Sequence, residues 1–317
     1  MTFYVLPVTE YRKDPLPNWD VVSGSYFSLS EQQLVVYIVR AMLTRRAHSA
    51  ARHYLTASVA FTLDFMLDRT RAPDFVVDMR NMGLLRDFSM TGRTGELAQG
   101  IAYAYAVHAT GSVVCDFVDW SKANYPSHIL SKMPDFAVLS LIHNRVDVME
   151  AKGTMKNIHR KPMKRALEQA KLTGHPGVTQ GFGAVVAFDA YNNREASIHI
   201  QDPEGQGQAS ESALYDAFKR SYASWYDLAG NTRQATWLRG EEFSGVENDP
   251  RLKLFLLRML GLPEHSQFVV MPEIEEAIFS EKVFRERSFN QLRYPVEREP
   301  VHDRLIRFPD GTAIMIE

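Results

Sequence analysis

The chain has 317 residues, of which 45% are hydrophobic and 23% charged, and its formal net charge is −2. That length suits one large globular domain or two small ones, and the charge excludes a polycation, so any nucleic-acid binding must come from a local basic face. Cys115 is the single cysteine, which excludes an intrachain disulfide and suits a reducing cytoplasm.

The N-terminus lacks a basic stretch followed by an apolar run, so no secretory leader is expected. Apolar runs such as "LVVYIV" at 34–39 are too short to span a bilayer, and no membrane partner is expected. Residues 1–27 predict a short strand, "FYVLPV", and a proline-containing loop. Ser28 and Glu31 have capping-box spacing, which predicts a helix start. The helical pattern continues to about Leu67, with a break expected near "RRAHSA". His48 and His53 are five apart, off a common helical face, which argues against metal ligation.

From Thr94 the pattern changes. "TGELAQGIAYAYAVHAT" predicts a helix with Thr94 as N-cap and Gly111 just past its end. "SVVCDFV" at 112–118 predicts a strand, with Cys115 in the core rather than acting as a nucleophile. "PDFAVLSLIHNRVDVMEAKGT" at 134–154 predicts two apolar strands joined by a turn. "HRKPMKRALEQAKLTG" predicts a basic helix with Pro162 in its first turn and Gly174 at its end. "FGAVVAFDA" at 182–190 predicts another buried strand. The order is helix, three strands, helix, strand, and it implies a mixed sheet with helices packed on it.

Beyond the polar stretch 201–212, Leu214, Phe218, Tyr222, Trp225 and Leu228 form one apolar stripe of a helix stopped by Gly230. These aromatics are expected in a core rather than on a base-stacking platform. "RLKLFLLRMLG" predicts a further helix before Pro263, and a hairpin is expected around Asp310-Gly311. The fold class expected is α/β, with a central core at 94–200, a mainly helical region at 1–93, and a helical region ending in a hairpin at 201–317.

Carboxylates and lysine are poor strand residues, so Asp135, Glu150 and Lys152 need a reason to sit at strand ends. A two-residue turn at His143-Asn144 would pair Ile142 with Arg145 and set Asp135 opposite Lys152, with Glu150 diagonal to it. All three would then share one face at one end of the sheet. Carboxylate oxygens are hard ligands suited to Mg²⁺, and a neighbouring ammonium suits a phosphodiester transition state. The alternative is a plain cross-strand ion pair at a solvated edge, which contributes little.

"PD" at 134–135 followed by "EAK" at 150–152 resembles the PD-(D/E)xK nuclease superfamily, whose fold is restriction-endonuclease-like. The resemblance covers roughly residues 94–190, and the predicted element order is similar to that family's core. It implies a hydrolase in which Asp135 and Glu150, with the main-chain carbonyl of Ala151, bind Mg²⁺ or Mn²⁺, and Lys152 positions the attacking water. It also implies an acidic residue on the preceding helix, offered by Glu96, and a glutamine on the following helix, offered by Gln169. DNA is the implied substrate, and restriction or anti-phage defence the implied setting. The alternative is a nucleic-acid-binding or assembly subunit that keeps the fold without turnover.

Lys156, Arg160, Lys161, Lys164, Arg165 and Lys171 lie between 156 and 171 against the single acid Glu168, a candidate grip for a phosphate backbone. No P-loop motif is present, so a duplex-opening activity would need a separate helicase or ATPase subunit. The family also leaves room for a homo-oligomer. HExxH, paired CxxC and GxSxG motifs are absent.

Overall fold

In the computed structural model the chain is α/β. The structure describes residues 2–11, 19–44, 66–78, 87–128, 133–157, 159–170, 175–201, 207–243, 250–287 and 304–316, and the side chains of 87–90 are not among them. His48, His53, Lys171 and the expected helix between 45 and 65 lie outside the described residues.

β1 (Phe3–Tyr11) and β2 (Val21–Ser30) form an antiparallel pair. α1 (Glu31–Leu43) follows at once. Its N-cap is Ser30, with Gln33 completing the capping box, not Ser28 with Glu31. The ladder explains the displacement. Val5 pairs with Ser28 and Phe3 with Ser30, so the backbone stays extended until β1 runs out of partners.

Next come α2 (Asp87–Ala104), β3 (Val113–Asp116), α3 (Phe117–Asn124), β4 (Phe136–Ser140) and β5 (Arg145–Thr154). α4 (Arg160–Ala170), β6 (Gln180–Ala187) and β7 (Ser197–Gln201) complete the main sheet. Thr94 is not the N-cap of α2, which begins earlier. α2 runs on into a π-helical turn, Tyr105–Ala109, and Gly111 lies just past that turn with φ +65°. The order helix, three strands, helix, strand is present, interrupted only by the short α3.

The sheet has seven strands in the order β2-β1-β7-β6-β5-β4-β3. It is mixed: β5–β6 and β1–β7 are parallel, and the remaining neighbours antiparallel. The N-terminal region therefore contributes two strands to the same sheet as well as a helix. β2 and β7 escape a hydrophobic reading. β2 is an edge strand rich in serine, largely exposed, and β7 buries His199 and Gln201 among its apolar residues.

Both faces are covered. Val114, Phe136, Val138 and Met149 pack with α1 and α2, whereas Val113, Cys115, Ala137, Leu139 and Val148 pack with α5 (Glu211–Ser221) and its neighbours. Alternate residues of one strand thus enter opposite cores, as strand geometry requires. Cys115 is a core residue, and burial pushes its thiol well above the usual range.

The expected helix over 214–228 is two helices, α5 and α6 (Ala223–Leu228), broken at Tyr222. The Ser221 hydroxyl donates to the Phe218 carbonyl at 2.6 Å, a back-bond that bends helices. α7 (Thr232–Leu238), α8 (Pro250–Met259), α9 (Pro272–Phe279) and α10 (Glu281–Glu286) follow. β8 (Gln267–Val270), β9 (Leu305–Arg307) and β10 (Thr312–Met315) make a small second sheet, in which β9 and β10 are the expected hairpin around Asp310-Gly311. Among the described residues no helix is long and apolar enough to cross a membrane.

Arg40 of α1 ties that hairpin to the main core. Its guanidinium donates to Asp310 at 2.6 Å, both side chains are almost fully buried, and the Tyr222 hydroxyl donates to the Asp310 carbonyl at 2.7 Å. Breaking a buried pair on one side leaves an uncompensated charge, which costs about 3–5 kcal/mol. Arg40→Met is therefore expected to lower the denaturant midpoint by an amount in that range. A loss below about 1 kcal/mol, the level of a surface pair, would show that the pair does not anchor the hairpin.

Candidate active site

β4 and β5 pair with Phe136 opposite Met149 and Ser140 opposite Arg145. The connection is a four-residue turn, Leu141 to Asn144, rather than two residues. Asn144 takes the left-handed conformation at φ +49°, which asparagine tolerates better than most residues. The register is shifted by two residues from the expected one. A shift of two preserves the face on which each side chain lies, whereas a shift of one would not. Continued one step past Phe136, this register sets Asp135 opposite Glu150 rather than Lys152.

The sequence motif thus has a local physical meaning. The ladder stops at Phe136 and Met149, and Pro134, just before it, has no N–H with which to extend it. Past that point side chains replace backbone partners. The Asp135 N–H donates to Glu150 Oε2 at 3.1 Å, and the Ala151 N–H donates to Asp135 Oδ2 at 3.0 Å. Gln99 of α2 donates from Nε2 to Asp135 Oδ1 at 3.0 Å. Lys152 donates from Nζ to Glu150 Oε1, while its own side chain remains 31% exposed.

The two carboxylates are deeply placed: Asp135 is 6% and Glu150 1% exposed. Burial, and then the neighbouring Asp135 charge, push the Glu150 carboxyl up to about 7, against the opposing pull of Lys152. Burial thus disfavours having both carboxylates ionised at once, although one ammonium stands beside them. A carboxylate oxygen has two lone pairs, so accepting one hydrogen bond does not exhaust its capacity to ligate a cation.

Two close approaches hold the frame. Gly183 pairs with Glu150 and lies beneath Met163 and Ala166 of α4, where a Cβ would come within 2.9 Å of the Met163 sulfur. Gly153, next to Lys152, lies against Thr94 of α2, and a Cβ there would come within 2.5 Å of the Thr94 carbonyl oxygen. β5 is thus clamped between α4 on one face and α2 on the other.

Asp135, Glu150, Ala151 and Lys152 are brought together. Glu96 is held differently, with Oε2 accepting from Arg93 at 2.7 Å. Among the described residues no three His, Cys, Asp or Glu side chains converge where they could share an ion. Gln169 sits near the end of α4. Its neighbour Ala170 overlies Gly181, opposite Val148, a turn away from the helix residues over Glu150. Gln99 was not anticipated. Its only sequence signal is its place one helical turn after Glu96, on the side of α2 that reaches β4.

The basic residues divide. Lys161, Lys164 and Arg165 are exposed on α4, whose opposite side buries Met163, Ala166, Leu167 and Ala170. Lys156 and Arg160 lie instead against aromatic rings, at 5.8 Å from the Tyr191 centroid and 5.3 Å from that of Trp19. Behind Arg160, His159 and His199 stack at 4.0 Å, and both bond the Tyr11 hydroxyl, at 3.0 and 2.9 Å. Burial, with His159 beside it, lowers the His199 imidazole to about 3, so it stays neutral at ordinary pH.

Comparison of the chain with family models, curated proteins and solved structures yields no match.

The raised Glu150 fixes the sign of a pH effect. Its folded value, about 7, lies above its ordinary 4.5. The folded state therefore binds the extra proton between those values, and stability falls as pH rises through them. In chelator, Glu150→Gln is expected to be more stable than the parent above pH 7, by on the order of 1–3 kcal/mol. The difference should shrink toward pH 4.5. A variant equally or less stable at pH 8 would show that the carboxylate carries no such penalty.

Proposed function

We propose that this chain is a divalent-metal-dependent nuclease that hydrolyses phosphodiester bonds in DNA, on a core of the PD-(D/E)xK type. The observation that carries the reading is the interlocked Asp135–Glu150 pair, with Lys152 on its rim, at the open end of the β4–β5 ladder. The order α2–β3–α3–β4–β5–α4–β6, which differs from that core by the short α3, supports the same reading.

The donor set fits a hard divalent cation. Two buried carboxylates lie side by side, and each is hydrogen-bonded to the backbone of the other strand. Asp135, Glu150 and the Ala151 carbonyl would hold Mg²⁺ or Mn²⁺, which neutralises phosphate charge and acidifies water when bound. Gln99 and the Ala151 N–H fix the Asp135 carboxylate from two sides, so little reorganisation is needed. Lys152 is the most exposed of the three. Its ammonium can donate hydrogen bonds to an attacking water and stabilise the charge that builds on the phosphate oxygens.

Glu96 remains with Arg93 in this reading, and Gln169 has no assigned role. The exposed cations of α4 supply a sequence-independent grip on phosphates next to the site.

DNA cleavage is expected to require Mg²⁺ or Mn²⁺ and to stop in chelator. Lys152→Ala should abolish turnover in a variant that still folds, and Glu150→Ala should lose both turnover and metal binding. Wild-type cleavage by either variant would defeat the reading. Replacing Lys161, Lys164 and Arg165 together by Ala should weaken duplex binding regardless of sequence. It should also flatten the slope of log K against log salt by roughly 0.9 for each phosphate no longer neutralised. An unchanged slope would put the DNA elsewhere on the protein.

A further inference from the structure

Two cation–ring pairs flank the segment that leaves the proposed catalytic strand. Lys156 lies four residues beyond Lys152, and its ammonium sits 5.8 Å from the Tyr191 centroid. Tyr191 is 55% exposed. It is fixed at the end of the sheet where β5 stops. The Phe188 N–H donates to the Thr154 carbonyl at 2.8 Å and the Ala190 N–H to the Met155 carbonyl at 3.0 Å. Tyr191 is therefore at the same rim as Lys152, on backbone bonded to the strand that carries Lys152.

The second pair is Arg160 over Trp19, at 5.3 Å. Trp19 is half-buried and wedged edge-on against Tyr11 and His159, while Arg160 is exposed. The stacked His159, His199 and Tyr11 rings brace it from behind. The guanidinium lies over the indole, and the Arg160 side chain is exposed.

A duplex keeps its base faces stacked on one another, so it offers a tyrosine ring no free base face, whereas its phosphates still suit a cation. An unpaired strand offers both base faces and phosphates, and aromatic rings interleaved with cations are the chemistry that takes them. We infer that the proposed nuclease engages a single-stranded DNA segment at its reaction rim, with a base stacked on Tyr191 and another on the Arg160–Trp19 pair. This rests on the nuclease reading for what happens to the strand, but the binding surface itself does not.

The test is fluorescence anisotropy of the full chain with a labelled oligothymidine and with a duplex of equal length, both in chelator so that nothing is cleaved. The single strand is expected to bind more tightly. Tyr191→Ala should weaken it roughly tenfold, the scale of one base stack, and Tyr191→Phe should restore it. Arg160→Ala should likewise weaken it. Tighter binding of the duplex, or single-strand affinity indifferent to Tyr191→Ala, would overturn the inference. Mg²⁺-dependent cleavage abolished by Lys152→Ala alongside a neutral Tyr191→Ala would leave the nuclease reading standing without this surface. Tyr191-dependent binding with no cleavage under any metal would leave the surface standing and remove the nuclease reading.

Discussion

Asp135 and Glu150 face each other across the open end of the β4–β5 ladder, each fixed by the backbone of the other strand. The Asp135 N–H holds Glu150, and the Ala151 N–H holds Asp135. Burying two carboxylates side by side is unfavourable, because each loses water and each repels the other. One lysine, one glutamine and two backbone N–H groups offset part of that cost. The remainder shows as the upward push on Glu150. Such an arrangement is strained in charge while the surrounding backbone is well supported, and that combination is common where a protein uses a site rather than merely packing it.

The rest of the fold keeps that pair from relaxing. Gly183 admits α4 close to β6 beside Glu150, and Gly153 admits α2 close to β5 beside Lys152. α2 in turn delivers Gln99 to Asp135. α1 lies between the sheet and the C-terminal hairpin, where the Arg40–Asp310 pair joins two regions far apart in sequence. The carboxylates therefore sit on a rigid strand pair held from both faces, with the cation of the group, Lys152, at the opening.

How far this was legible varies by element. The helix–three-strand–helix–strand order could be read because β3, β4, β5 and β6 are apolar and bounded by turn residues. The face shared by Asp135, Glu150 and Lys152 could be read although the turn was misjudged, since an error of two residues leaves side-chain parity intact. β2 could not, because only Phe27 and Leu29 bring apolar side chains into the core and the rest of this serine-rich edge strand is largely exposed. β7 could not, because it buries His199 and Gln201, whose partners come from elsewhere in the chain. The capping box moved by two residues because pairing with β1 holds Ser28 extended. Gln99 could not be singled out, since its role comes from how α2 crosses β4 and not from any local pattern. The cations of 156–171 looked equivalent in sequence, and only the positions of Tyr191 and Trp19 separate Lys156 and Arg160 from the exposed row on α4.

Occupancy of the Asp135–Glu150 pair by a divalent cation is the claim on which the functional account turns. Titrating Mn²⁺ into the chain while following the free ion by its paramagnetic resonance signal measures it without reference to any substrate. The account predicts saturable binding that Asp135→Asn and Glu150→Gln each remove, with melting curves that show both variants folded. No saturable binding, or binding that survives both substitutions, would contradict it.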